Sequence, residues 1–340
     1  MIRKWLTAVL SAMALPLFAQ TAQPVVIAHR GASGYLPEHT LAGKALAHAM
    51  GADFLEQDIV LTKDDVPVVM HDIHLETISD VAQRFPDRKR GDRHYYTIDF
   101  TLAEIRQLHA NERIDPKTGK AAFPNRFPLG QSSFGIPTLE EELQLIQGLN
   151  RTTGRVAGIY PEIKRPGWHR KQGHDISAIV LPILRRYGYA TKADACWVQC
   201  FEFDEVKRIR GELGWEGRLV LLHSGKKDAD EEGEAPGLFT PEGLAEVAKF
   251  ADGIGPSIGA IVSGNAKIGH TVTDLVKNAH AAKLAVHPYT LRADEVPKWA
   301  GSMDAALDVL FHEAGVDGLF TDFPDLAVRW RAAQARREGK

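Results

Sequence analysis

Short apolar, β-branched runs recur along the chain, most of them followed by a helical pattern, and this alternation constrains the fold more than any other feature. The runs occupy residues 24–29, 54–61, 66–71, 158–163, 197–201, 219–223, 253–257, 284–289 and 318–321. Strands that alternate with helices pack as a parallel sheet covered by helices. A chain of 340 residues is long enough to close that sheet, so the expected fold is α/β, a (β/α)8 TIM-type barrel. There are more runs than the barrel's eight strands. The runs at 54–61 and 66–71 are joined through Lys63-Asp64-Asp65, far too short for a parallel crossover of a dozen residues. That pair reads as a hairpin excursion in which one run is not a regular barrel strand.

Local signals fix several helix ends. Thr40 is placed to cap a helix that Gly51 closes. Thr101 with Glu104, and Thr138 with Glu141, make capping boxes, and Thr240-Pro241 is another helix start. Between about residues 72 and 155 the strand–helix alternation stops, and the stretch is polar and rich in Arg, Asp, Pro and aromatics. It follows a strand end, where barrels carry their βα loops, and is expected to be an inserted subdomain over the barrel mouth.

The start of the chain speaks to compartment. Arg3 and Lys4 precede an apolar run at residues 6–18 and the small Ala19, the pattern of a secretory signal peptide. Residues 1–19 are therefore expected to be removed, leaving residues 20–340 as a single domain in the periplasm with no stable membrane anchor. The net charge is −3 and the pI near 6.5, which offers no basic face for nucleic acid. The two cysteines, Cys196 and Cys200, fall on one apolar run. Four extended residues span about 13 Å, whereas a disulfide needs Cα atoms within about 7 Å. Two buried free thiols are expected.

In a parallel barrel the C-terminal strand ends converge on one site. Here those ends supply His29 and Arg30, then Glu56 and Asp58, then His71, then Glu162 and Lys164. Period-two geometry puts Glu56 and Asp58 on one face, and Glu162 and Lys164 likewise. Each acid taken singly would more often be an ion-pair partner. Together at strand ends they make an oxygen-only site for a hard divalent cation, calcium or magnesium. His29 and His71 each close an apolar strand beside those groups, and a pair of imidazoles can move protons to and from reacting oxygens. Arg30 offers the forked donor that suits a phosphate, with Lys164 as a second positive charge. The combination describes phosphoryl transfer.

These motifs resemble the glycerophosphodiester phosphodiesterases, in particular their periplasmic bacterial branch, over nearly all of the mature chain. The likeness is carried by His29-Arg30-Gly31-Ala32-Ser33-Gly34-Tyr35-Leu36-Pro37-Glu38-His39-Thr40, Leu55-Glu56-Gln57-Asp58, Val68-Val69-Met70-His71-Asp72, Tyr160-Pro161-Glu162-Ile163-Lys164, His287-Pro288-Tyr289-Thr290 and Gly318-Leu319-Phe320-Thr321-Asp322-Phe323-Pro324-Asp325. Many members carry asparagine where this chain has His39. The resemblance implies hydrolysis of small glycerophosphodiesters, such as glycerophosphocholine and glycerophosphoethanolamine, to glycerol 3-phosphate and an alcohol. It also implies a divalent metal, calcium in the first place, on Glu56, Asp58 and Glu162, with His29 and His71 as the acid–base pair. Arg30 and Lys164 are expected to bind substrate, and Gln199, Phe201, His287 and Tyr289 are further candidates for that role. A homodimer is the candidate assembly. A barrel phospholipase D on intact lipids and a non-enzymatic binding protein on the same fold are the alternatives.

Overall fold

The computed structural model describes residues 23–224 and 237–338, and the expected signal peptide lies outside them. The strands are β1 (Val25–Ala28), β2 (Phe54–Leu61), β3 (Pro67–Val69), β4 (Gly158–Ile163), β5 (Trp197–Cys200) and β6 (Arg218–His223). They continue with β7 (Gly253–Pro256), β8 (Val262–Asn265), β9 (Gly269–Val272), β10 (Ala285–Val286) and β11 (Gly318–Thr321). Eight of these run parallel in the order β10-β7-β6-β5-β4-β2-β1-β11, a nearly closed barrel. The remaining gap is bridged where the chain continues past β10. Asp317 N donates to Val286 O, Phe320 N to Pro288 O and Leu291 N to Phe320 O, at 2.9–3.1 Å. β8 and β9 form a separate antiparallel pair.

The cap signals act as their chemistry requires. Thr40 Oγ1 accepts from Gly43 N, and Gly51 closes the helix Leu41–Met50 in the left-handed conformation. Both capping boxes are formed, at Thr101 with Glu104 and at Thr138 with Glu141. Ile27, Tyr160, Val220, Leu222 and Phe320 fill the barrel interior, so the mouth sits on an apolar plug. A larger apolar layer lies between the strands and the surrounding helices.

The hairpin pair resolves in favour of the first run. β2 is a barrel strand, and β3 pairs antiparallel with its end, Ile59 opposite Val69 and Leu61 opposite Pro67. β3 thus carries the chain out of the barrel top and back, and Met70 N donates to Asp58 O at 2.9 Å. His71 reaches the mouth by this return and not as the end of a parallel strand. The far side of the excursion has its own core, with Val60, Val68, Met70, Phe100, Ile105 and Ile136 among its buried residues. The helix Leu139–Thr153 belongs with the barrel: its Leu139, Leu143 and Ile146 lie in the main apolar layer. The excursion accordingly gives way to the barrel layer near residue 138, sooner than the boundary near 155 read from the sequence.

Candidate active site

β1 ends in a tight left-handed turn. Arg30 has φ 58° and Gly31 φ 89°. A Cβ on Gly31 would come to 3.0 Å from the Gly43 backbone, so glycine is required there on two counts. The turn points Arg30 N at Glu56 Oε2, 2.5 Å away. It also sets the Arg30 guanidinium between Glu38, 2.9 Å, and Asp58, 3.4 Å. His29 Nδ1 is 2.6 Å from Asp322 Oδ1, which leaves Nε2 for the cavity. Asp322 Oδ2 in turn accepts from Arg126 at 2.7 Å and Arg292 at 2.8 Å.

His71 repeats the arrangement from the other side. Its Nδ1 is 2.6 Å from Asp72 Oδ1, and Asp72 Oδ2 accepts from Thr77 at 2.8 Å and Arg113 at 2.7 Å. Arg113 also grips both oxygens of Glu38. Each histidine therefore has its own carboxylate, and each carboxylate has its own arginine from the excursion. Burial, then the charge of Arg30, lowers His29 to about 4. Burial, Arg30 and Lys164 lower His71 to about 4. Both imidazoles are neutral near pH 7.

Between them lie the carboxylates. In the β2–β4 register Asp58 stands opposite Glu162. Burial and the negative charge of Asp58 push Glu56 well above the usual carboxylate range. At Asp58 burial works the same way, but Lys164, His71 and His39 outweigh it and hold the group well below that range. Lys164 Nζ is 2.7 Å from Glu162 Oε1, 3.9 Å from Asp58 Oδ1 and 3.4 Å from His71 Nε2. His39 Nε2 is 2.8 Å from Asp58 Oδ2, and its Nδ1 is 3.3 Å from Lys44 Nζ. An ammonium can only donate, so Nδ1 accepts and Nε2–H donates to Asp58. His39 orients the carboxylate.

Asp58 Oδ1 is buried and accepts no hydrogen bond. Together with the raised Glu56, that is the imbalance a hard divalent ion corrects, so the donor set fits one. The ligand atoms of His39, Glu56 and Asp58 already lie within 4.8 Å of one another.

The mouth is a cavity of about 900 Å³. His29, Arg30, Glu56, Asp58, His71, Glu162, Gln199, Phe201 and Tyr289 line it, and segment 289–298 forms one wall. Lys164 is not on the wall but touches residues that are. His287 is not brought to the cavity. It is buried in the barrel interior, with Nδ1 2.8 Å from the Tyr160 hydroxyl and its ring edge-on to Trp197. Of the excursion's residues His71 lines the cavity, and Arg126 and Phe123 touch the wall segment at Asp294 and Arg292. What sequence reasoning missed is Arg292 on the wall and the set behind it, Asp322, Arg113, Arg126 and Lys44. Asp322 and Asp72 sit inside recognisable motifs. The three arginines carry no signal, because their partners are far away in the chain.

A parallel α/β barrel with paired imidazoles, clustered carboxylates and an arginine at its C-terminal mouth defines a barrel enzyme of phosphoric diester hydrolysis. The chain belongs to the glycerophosphodiester phosphodiesterases: the Glycerophosphoryl diester phosphodiesterase family model matches residues 29–326. It is similar to the glycerophosphodiester phosphodiesterase of Haemophilus influenzae, 44% identical over 325 residues, covering 90% of this chain and 89% of the relative. The Treponema pallidum glycerophosphodiester phosphodiesterase is 39% identical, covering 92% of this chain and 93% of its own. A crystal structure from Silicibacter pomeroyi superposes with a TM-score of 0.67 at 25% identity, covering 92% of this chain and 95% of that one. An Oleispira antarctica phosphodiesterase, solved in complex with the product sn-glycerol-3-phosphate, shares the fold with a TM-score of 0.60. That likeness is 20% in identity and covers 91% of this chain and 96% of that one.

Proposed function

We propose that this chain hydrolyses small glycerophosphodiesters, glycerophosphocholine and glycerophosphoethanolamine among them, to glycerol 3-phosphate and the free alcohol. The observation that carries the reading is the pairing of His29 with Asp322 and of His71 with Asp72 around one cavity that also presents Arg30. Each carboxylate fixes the tautomer that aims Nε2 at the substrate. One neutral imidazole takes the proton of the attacking hydroxyl. The negative phosphodiester offsets the charges of Arg30 and Lys164, which favours protonation of the other imidazole, and that proton goes to the leaving oxygen. The P–O bond to the alcohol breaks as the new P–O bond forms. Two nucleophiles are compatible with these residues, the glycerol C2 hydroxyl, giving a cyclic phosphate that water opens, and water itself. Trapping cyclic glycerophosphate separates them.

Glu56, Asp58 and Glu162 would hold the divalent ion, calcium in the first place and magnesium in the second, which when bound neutralises charge on the phosphate oxygens. Arg30 donates to Glu38 and keeps further N–H donors for the phosphate, and Gln199, Phe201 and Tyr289 shape the space around the alcohol. The leader-like residues 1–19 support a periplasmic location, tested by cell fractionation and by a mature N-terminus near Gln20.

The deciding experiment is release of glycerol 3-phosphate from a panel of glycerophosphodiesters, with and without chelator. Expected is turnover of the small diesters, loss on chelation and recovery with calcium. Full activity after exhaustive chelation would remove the metal from the mechanism, and equal turnover of micellar phospholipid would turn the reading toward a phospholipase.

A further inference from the structure

Among the described residues, two groupings bring three histidine, cysteine or acidic ligand atoms within 4.8 Å of one another. One is at the mouth. The other is His74, Glu76 and His94, on the excursion. We propose that these three residues form a second metal site, for zinc or a similar imidazole-preferring divalent ion, separate from the oxygen-rich mouth.

Ligand chemistry separates the two places. Two imidazoles and one carboxylate suit a borderline ion such as zinc, whereas carboxylates alone suit calcium or magnesium. His74 and Glu76 sit at the start of the short helical turn Leu75–Thr77, and His94 comes from a segment that returns alongside it. The two segments are pinned by backbone pairing. His74 bridges Tyr96, and Leu75 N donates to Tyr95 O at 2.9 Å. The imidazole rings stack with centroids 4.2 Å apart and planes 15° from parallel. Glu76 Oε2 accepts from Tyr95 N at 3.1 Å, which steers Oε1 to 2.5 Å from His94 Nδ1. Zinc ligands in a tetrahedral shell stand about 3.3 Å apart, so the ion would draw the three groups together from within 4.8 Å and turn one imidazole out of the stack, where the half-exposed His94 has room to move.

His74 Nε2 supplies the second, independent sign. It is buried and has no hydrogen-bond partner, a lone pair or N–H with nothing to engage. A buried imidazole nitrogen is ordinarily satisfied. Asp92 braces the site from outside, accepting from His94 N at 3.1 Å and from the Tyr96 hydroxyl at 2.8 Å. The His94 side chain is 43% exposed, so an ion can enter and water can complete its shell. Thr77, in the same turn, donates to Asp72, the partner of His71. The ion would act as a clip that fixes the turn on which Asp72 leans.

The test is zinc titration of the full chain held in excess calcium, followed by calorimetry and by thermal unfolding, on wild type, His74→Gln and His94→Gln. Expected is one zinc that each variant binds at least tenfold more weakly, and a zinc-induced rise in the unfolding midpoint of wild type that both variants lack. Circular dichroism establishes that the variants are folded, and Glu76→Asp, which keeps the carboxylate, should bind zinc more tightly than either histidine variant. Zinc binding equal in all three proteins would place the ion at the mouth and overturn the proposal. Absence of zinc binding to wild type at micromolar concentration would overturn it as well.

Discussion

The barrel mouth and the excursion are built on opposite plans. At the mouth, charged and imidazole side chains at the ends of β1, β2 and β4 meet because parallel strand ends converge, and they face a cavity. In the excursion, residues of one continuous stretch pack around their own apolar core and, His71 apart, stay off the cavity wall. Yet the excursion places Arg113 against Asp72 and Arg126 against Asp322. The lesson of the difference is a division of labour: the barrel supplies most of the groups that line the cavity, and the excursion supplies the arginines that pair with the carboxylates beside His29 and His71.

That division can be broken most directly at the imidazoles. His29→Ala and His71→Ala should each lower kcat by roughly 10²–10⁴-fold with folding intact, and the double variant should be scarcely worse than either, since the pair works as a unit. Near-wild-type turnover of glycerophosphocholine by both single variants would take catalysis away from the mouth as described.

Arg126 tests the other half. Its side chain is 4% exposed and that of Asp322 2%, and groups orienting a reactive residue are typically worth 10–100-fold. Arg126→Ala should lower kcat on that order with a smaller change in KM, and Arg126→Lys should restore part of the loss. A lid would behave differently. If the variant changed KM or substrate range and left kcat alone, the excursion would be a cover and not a brace.

A smaller effect is expected from Glu112, in the excursion. Burial pushes its carboxyl up to about 7, and Glu112 Oε2 has no hydrogen-bond partner. The folded-state pKa lies above the unfolded value of 4.5. The neutral form is therefore the one folding favours, and stability present below pH 4.5 is lost as pH rises through 7. Glu112→Gln should match wild type at pH 4.5 and exceed it at pH 8 by on the order of 2 kcal/mol. Parallel unfolding curves of the two proteins across that range would show that Glu112 ionises freely in the fold.

The smallest effect is expected in the barrel wall. Cys196 and Cys200 are free and buried, and burial raises both thiols. Thiol reagent should leave the folded protein unmodified and find two thiols after denaturation, and reductant should leave the unfolding midpoint where it is. Rapid labelling of the native protein would mean that the wall around β5 opens far more readily than the excursion's division from it implies.

What was legible in the sequence is what short-range pattern controls. Alternating runs and helix caps specified the parallel barrel, and strand-end position picked out the cavity residues His29, Arg30, Glu56, Asp58 and Glu162, whereas His71 was found as the end of a run that proved not to be a barrel strand. The spacing of Cys196 and Cys200 along an extended run excluded a bridge. His287 shows where pattern stops. It has the same parity as Tyr289, so both point inward, but barrel interiors are stacked in layers. Depth separates a cavity residue from one packed on Tyr160 and Trp197. Strand pairing was also beyond it: Lys63-Asp64-Asp65 demanded a hairpin, and only the β2–β3 register settled which run left the barrel and how His71 came back beside Asp58.

The chain by itself determined the barrel, the family and most of the side chains that meet at the cavity, because each depends on residues near one another or on the common destination of parallel strand ends. Tertiary structure alone decided the partners of those groups. Arg113 lies 41 residues from Asp72, Arg126 lies 196 from Asp322, and His29 lies 293 from the same carboxylate. A buried charge must find its counter-charge wherever the fold brings one within reach, since leaving it unpaired costs several kcal/mol. No local periodicity records that choice, and it was made when the excursion folded back against the barrel.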